Sequence, residues 1–366
     1  MTPEPGLASW LQLSLTPGLG ATSIQKLLRQ FGLPDAVLAR KRSELAPFMS
    51  PAAVAALDSP AVEEAVQRAL AWSQAQGHFI VTLADESYPR ALLEIPDPPP
   101  MLYGRGRLEL LQRPAIAVVG SRNSSAQGES NAHQFAKALS AAGLTVVSGL
   151  ALGIDAAAHR GGLEAAGSTI AVLGTGIDVL YPPRNAELAE RIAERGLLLS
   201  EFALGMPAIA HNFPRRNRLI SGLSRGCLVV EAALASGSLI TARCAADQGR
   251  EVFAIPGSIH SPLAKGCHAL IKSGAKLVEC ADDVLAELSG FRRTGAASTQ
   301  AATDAAASSH PLLGIMGHDP VDVDSLCARA GLSAEQVAAE LLRLELDGRV
   351  AALPGGLYQR LEKGRA

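Results

Sequence analysis

The sequence predicts an α/β protein built on a parallel sheet, with an N-terminal all-helical domain and a C-terminal winged helix. Three observations predict it. Between residues 114 and 288, short β-branched runs alternate with Gly-containing loops and helix-length segments. Before them, apolar residues recur at helical spacing. After them, a stretch nearly devoid of large apolar side chains sets off a compact tail.

Residues 1–78 read as the helical domain. Ile24, Leu27, Leu28 and Phe31 share one helical face, as do Val62, Val66 and Leu70. The Pro/Gly turn between Leu15 and Ile24 ends in Thr22 and Ser23, either of which suits an N-cap. Such a turn looks like a helix-hairpin-helix, which either offers backbone N–H groups to a phosphate or is simply a packed turn. Residues 79–288 read as the sheet domain, entered through a Pro-rich connector that includes Pro96-Asp97-Pro98-Pro99-Pro100. Its strands fall at 116–119, 144–147, 169–173, 197–199, 228–230 and 252–255, with 276–278 a short seventh. Residues 289–309 are mostly Ala, Ser, Thr and Gly with almost no large apolar side chain, the composition of a flexible linker. Residues 310–366 give three helices and a hairpin turned at Pro354-Gly355-Gly356, with Ser333 and Gln336 placed as a capping box.

Composition limits the function. A length of 366 residues allows two or three domains. A net charge of −2 excludes a uniformly basic nucleic-acid coat but permits a local basic rim. Aromatics make up only 4% of the chain, so any base-stacking surface rests on few rings or on Arg planes. The five cysteines form no C-x-x-C pair, which speaks against a zinc ribbon or a disulfide framework and for a reducing cytoplasm. No apolar run reaches the ~18 residues of a membrane span, and residues 1–10 lack a signal-peptide pattern. No cofactor, metal or membrane contact is expected.

Ligands of open parallel sheets bind beyond the carboxyl ends of the strands. Small residues collect there: Gly120-Ser121-Arg122, Ser148-Gly149 with Gly153, and Gly174-Thr175-Gly176. They let backbone donors approach an anion, and the helix starting near Ile154 adds its dipole. Neither G-x-x-x-x-G-K-[ST] nor G-x-G-x-x-G is present. Arg122, directly after a strand, either captures phosphate or pairs with Glu201 or Glu231. Arg215, Arg216, Asn217 and Arg218 form a basic cluster after Phe213, and Arg184 with Asn185 follows Tyr181-Pro182-Pro183. Ser236-Gly237-Ser238 opens another helix with small residues. Asp155 and His159, four apart on one helix face, read as a hydrogen-bonded pair bracing the loop.

These stretches, with Val230-Glu231-Ala232, Thr241-Ala242-Arg243 and Phe253-Ala254-Ile255-Pro256-Gly257, resemble the DNA-processing protein A (Smf) family over residues 85–285. The resemblance implies an extended Rossmann-like fold and a cytoplasmic, non-enzymatic homodimer. It further implies a helical domain of the sterile-alpha-motif type and a winged helix. The implied role is to bind single-stranded DNA during natural transformation and to load a RecA-type recombinase. It carries the DNA-binding role to Arg122, to the loop with Ser148, Gly149 and Gly153, and to Arg215, Arg216 and Arg218. Where some members carry Lys and Phe near the Tyr-Pro stretch, this chain has Arg184 and Leu188. The competing expectation is a nucleotide- or nucleoside-phosphate-processing enzyme, for which Asp155, Glu201 or Glu231 would supply the acid or base. The third tail helix carries Glu335, Glu340 and Glu345 against Arg343, a poor surface for a DNA groove and a better one for a protein partner.

Overall fold

The computed structural model describes residues 6–288, 310–317 and 320–361. The anticipated linker at 289–309 lies outside them. Nine strands form one sheet: β1 (His78–Thr82), β2 (Met101–Gly106), β3 (Ala115–Val119), β4 (Thr145–Ser148), β5 (Thr169–Val172), β6 (Leu197–Ser200), β7 (Gly226–Val229), β8 (Glu251–Ala254) and β9 (Lys276–Leu277). Their order is β1-β2-β6-β5-β4-β3-β7-β8-β9. β3 to β9 run parallel, whereas β2 adds antiparallel to the outer side of β6 and β1 adds antiparallel to β2. Chain order reverses between β3 and β7, which sets a crevice at their carboxyl ends.

β1 and β2 differ from the expected irregular connector. The runs His78-Phe79-Ile80-Val81-Thr82 and Met101-Leu102-Tyr103 pair across the Pro-rich segment, and β2 satisfies the otherwise open edge of β6. Val147, Val172, Leu199, Leu219 and Val229 belong to the core on one face of the sheet. Ile116, Val118, Phe135, Leu139, Val146 and Ile154 belong to the core on the other. Burial on both faces explains why the strands read as apolar runs rather than alternating ones.

The N-terminal helices include Leu7–Leu15, Ala21–Phe31 and Pro60–Ser73. Leu13, Ile24, Leu27, Val37 and Leu45 give this region its own core. Leu7, Leu11, Val62 and Val66 instead join Met101, Tyr103 and Leu198, and so dock the helices on the sheet. The helix after the Pro/Gly turn begins at Ala21 with Gly20 as N-cap and no side-chain cap. The expected cap at Thr22 or Ser23 is displaced because both already lie in the first helical turn.

The tail holds helices Pro311–Met316, Val323–Ala330 and Ala334–Leu346, and strands β10 (Val321–Asp322), β11 (Val350–Leu353) and β12 (Leu357–Arg360) in the order β10-β12-β11. Ser333 and Gln336 close the capping box, and the whole is a winged helix around Leu326, Val337, Leu341 and Leu344. Among the described residues, no helix is long and apolar enough to cross a membrane.

Candidate nucleic-acid interface

A cleft of about 450 Å³ lies at the β3/β7 reversal. Gly120, Ser121, Arg122 and Asn123 form one wall, Ser236, Gly237 and Ser238 a second, and the helix Asn212–Gly222 a third. Phe213, Arg216, Asn217 and Ile220 line it because they share one helical stripe. A Cβ at Gly120 would sit 2.6 Å from the Ile154 side chain and 2.9 Å from the Glu231 carbonyl oxygen, so glycine lets the strand end meet the next helix.

Arg122 is exposed, and its guanidinium carbon lies 5.7 Å from the Phe213 ring centre. Tyr181, 45% exposed, continues the row with its ring centre 5.6 Å from that of Phe213. Among the described residues Arg122 has no carboxylate partner, because Glu201 and Glu231 are both engaged elsewhere. Glu201 accepts from Arg218 Nη1 at 2.9 Å and Nη2 at 2.8 Å, and from Arg215 Nη2 at 3.3 Å. Glu231 accepts from Ser125 N at 2.9 Å and Ser125 Oγ at 2.5 Å, which covers the start of helix Ala126–Ala141. Gly128 makes room, since a Cβ there would fall 2.3 Å from the Glu231 carboxyl carbon. The expected Arg–Glu231 brace is therefore a Ser125–Glu231 brace.

The loop after β4 differs from an open row of donors. Asp155 accepts from Gly149 N at 3.1 Å and Ala151 N at 3.4 Å, and Leu150 N donates to His159 Nε2 at 3.2 Å. Asp155 and His159 thus hold different amides of one loop rather than each other. Asn185 is buried and donates to Leu150 O at 2.9 Å and Ala151 O at 3.1 Å. The Ser148 hydroxyl donates to Val118 O at 2.7 Å, inside the sheet. A Cβ at Gly149 would meet the Arg216 guanidinium at 2.6 Å. These residues shape the cleft wall and leave few donors to face a ligand.

The arginine cluster splits three ways. Arg216 is buried, donates to Gly149 O at 2.8 Å and to Val172 O, and is pulled down to about 10 by burial. Arg218 is bound by Glu201 and by Asp97 at 2.6 Å. Arg215 stays half exposed, 5.5 Å from the Phe202 ring centre. Asn217 accepts from Arg216 Nε at 3.2 Å and donates to Gly237 O at 3.4 Å. Helix Ser238–Asp247 starts at Gly237 with no side-chain cap from that residue, although Ser236 Oγ accepts from Ser238 N at 3.3 Å. Arg184 is exposed, three residues along the chain from Tyr181. Sequence reasoning missed Asp97 and Thr169. The Thr169 hydroxyl donates to Val146 O at 2.7 Å and so accepts from His159 Nδ1 at 2.7 Å.

This arrangement makes His159 a neutral group with its proton on Nδ1. Burial, with the charges of Arg216 and Arg160 adding, lowers it from 6.5 to about 3. Unfolded chains therefore take up a proton that the fold refuses. The stabilisation is complete above pH 6.5 and declines as pH falls toward 3, by ~1.4 kcal/mol per unit. Asp155, raised by burial against the opposing Arg216 charge, works the other way. His159→Gln keeps an acceptor for Leu150 N without the titration. Urea unfolding at pH 7 and pH 5 should show wild type losing about 2 kcal/mol more than the variant. Parallel losses would refute the assignment.

Comparison with known proteins fits this geometry. Residues 79–289 match the family described as DNA recombination-mediator protein A, and residues 296–356 match the DprA winged helix domain. Protein Smf of Escherichia coli is 44% identical over 307 residues, covering 82% of each chain. DNA processing protein DprA of Streptococcus pneumoniae is 50% identical over 206 residues, covering 56% of this chain and 73% of its own. A solved structure of the Streptococcus pneumoniae protein aligns with a TM-score of 0.65 at 41% identity, over 76% of this chain and 96% of its own. One from Helicobacter pylori, described for its single-stranded DNA binding mode, aligns with a TM-score of 0.52 at 30% identity, over 56% of this chain and 93% of its own. With the sheet, the winged helix and these matches in agreement, the chain belongs to the DNA recombination-mediator protein A family.

Proposed function

We propose that the chain binds single-stranded DNA along the β3/β7 cleft and, as a homodimer, passes it to a RecA-type recombinase in the cytoplasm, without catalysing a reaction. The observation that carries the reading is Arg122: an exposed guanidinium at the strand end, backed by Phe213 and Tyr181 and free of any described carboxylate. An arginine plane over aromatic rings suits an unstacked base and its phosphate. Bases of a duplex are already stacked and gain less there. The Helicobacter pylori structure, described for single-stranded DNA binding, supports the same class of ligand.

In this reading Arg122, Ser121 and Ser236 to Ser238 meet the strand, with Arg184 and Arg215 at its margins. Ser148, Gly149, Gly153, Asn185, Arg216, Asn217 and Arg218 build the walls, and Asp155, His159, Glu201 and Glu231 brace them. The winged helix exposes Leu342, Leu346, Glu335 and Glu345, and is assigned to protein contacts. Arg122→Ala should weaken binding of an oligothymidylate about tenfold and lower the log–log salt slope by about 0.7, read by fluorescence anisotropy across a salt series. Unchanged affinity and slope would remove the site.

A cleft of about 450 Å³ also falls within the size range of small-molecule sites, which favours a nucleotide-processing enzyme. Against it, Asp155, Glu201 and Glu231 are each consumed by internal donors. Turnover of nucleoside monophosphates by the pure protein would reverse this preference.

A further inference from the structure

Helix Ala334–Leu346 of the winged helix buries Val337, Leu341 and Leu344 and turns its opposite face to solvent. Glu335, Ala338, Ala339, Leu342, Glu345 and Leu346 share that face at spacings of three and four residues, and all are exposed. Leu342 is 58% exposed and Leu346 81%. Glu340, at the edge, is taken by His310 Nε2 at 2.9 Å. Glu335 and Glu345 have no cation partner among the described residues. An apolar centre with carboxylates toward both ends repels phosphates and suits a basic, apolar partner.

Helix Ala21–Phe31 offers the counterpart. It buries Ile24 and Leu27 and exposes Lys26 and Arg29, one turn apart. The helix ends at Gly32, and Leu33 beyond it is 60% exposed. Arg40 lies with its guanidinium carbon 5.5 Å from the Phe31 ring centre, and Lys41 is exposed after it. The carboxylates close by in sequence are occupied. Asp35 accepts from the Ser9 hydroxyl, and Glu44 accepts from Lys41 N at 3.0 Å and pairs with Arg40 at 4.0 Å. Lys26 and Arg29 have no carboxylate partner among the described residues.

We propose that these two faces meet between copies of the chain: the Leu342 and Leu346 face of one docks on the Leu33 face of the next copy along the bound strand. The proposal rests on the single-strand reading above and gives the protein contacts of the winged helix a partner. The charges are opposite, so each face rejects its own kind and accepts the other. The contact joins unlike surfaces, so it runs on from copy to copy instead of closing on a twofold axis. Leu33, Leu342, Leu346 and a few exposed ion pairs make a weak contact in free solution. Copies held on one strand meet at a high effective concentration, and there it suffices. Binding to a long strand thereby becomes cooperative without any added basic side chain in the crevice.

Two charge-reversed full chains test this: Lys26→Glu with Arg29→Glu, and Glu335→Lys with Glu345→Lys. All four positions are exposed, so melting temperatures should match wild type. Fluorescence anisotropy is read on an oligothymidylate of about 15 nucleotides, the span of one site, and on one of about 60. Wild type should bind the long strand about tenfold more tightly per site than the short one. Each variant alone should lose that advantage. The two variants in equal amounts should regain it, since every junction between them then joins opposite charges. A wild type without the advantage would overturn the proposal. So would a Lys26→Glu, Arg29→Glu chain that keeps it, which would pair the winged helices with each other. A mixture that fails to regain it would place the contact within one chain and overturn the proposal equally. Failure of the single-strand reading looks different, as a wild type that binds neither strand.

Discussion

Arg216→Met is expected to lower stability by about 3–5 kcal/mol. The guanidinium is buried between two strands' ends, where it donates to Gly149 O and Val172 O and faces Asp155. Methionine fills similar volume but offers neither donor nor charge. Two carbonyls lose their partner, and Asp155, already raised by burial, loses the cation that holds it down. The deficit should appear as a lower urea midpoint with an unchanged slope. Adding Asp155→Asn should recover part of it, because the stranded carboxylate is then neutral. A loss under 1 kcal/mol would show that Arg216 is not the keystone of the cleft wall. Binding of single strands should weaken in the surviving folded protein, since Gly149 and the Phe213 helix are no longer tied together.

Gly153→Ala is expected to cost about 3 kcal/mol and to weaken strand binding about tenfold. Gly153 has φ +72° and ψ −124°, a conformation closed to residues with a Cβ. An added Cβ would lie 2.5 Å from Ser121 O and 2.7 Å from Ser124 Oγ. Ser121 O also accepts from Ile154 N at 3.2 Å, so the clash moves the segment that carries Arg122. Gly274→Ala is the control: φ is +104°, yet nothing stands within 4 Å of its Cβ. Equal losses in the two variants, with binding intact in both, would reduce the role of Gly153 to backbone strain alone.

The sheet was legible because its strands are buried on both faces and so appear as uninterrupted runs such as Ile116 to Val119. The β1–β2 pair was not, since Pro96 to Pro100 dominate that stretch and hide two strands that meet only across it. At the cleft, residue type signalled polarity but not direction. Arg215, Arg216 and Arg218 read as one basic cluster, yet helical rotation sends them to three different partners. Phe213, Arg216, Asn217 and Ile220 share a stripe that spacing alone would have revealed. The glycine loop suggested open amides because its satisfiers, Asp155 and His159, lie beyond it on the helix, and Thr169, which fixes the histidine proton, lies on another strand.

Glu231 makes the chain its own ligand. The beginning of a helix invites negative charge, and at Ala126–Ala141 that invitation is answered from within by the carboxylate that follows β7. An incoming anion on that flank meets a like charge, whereas the flank opened by Gly237 presents amide dipoles. The crevice therefore draws an anion by two unlike means, a helix dipole at Gly237 and the guanidinium of Arg122 on the opposite wall.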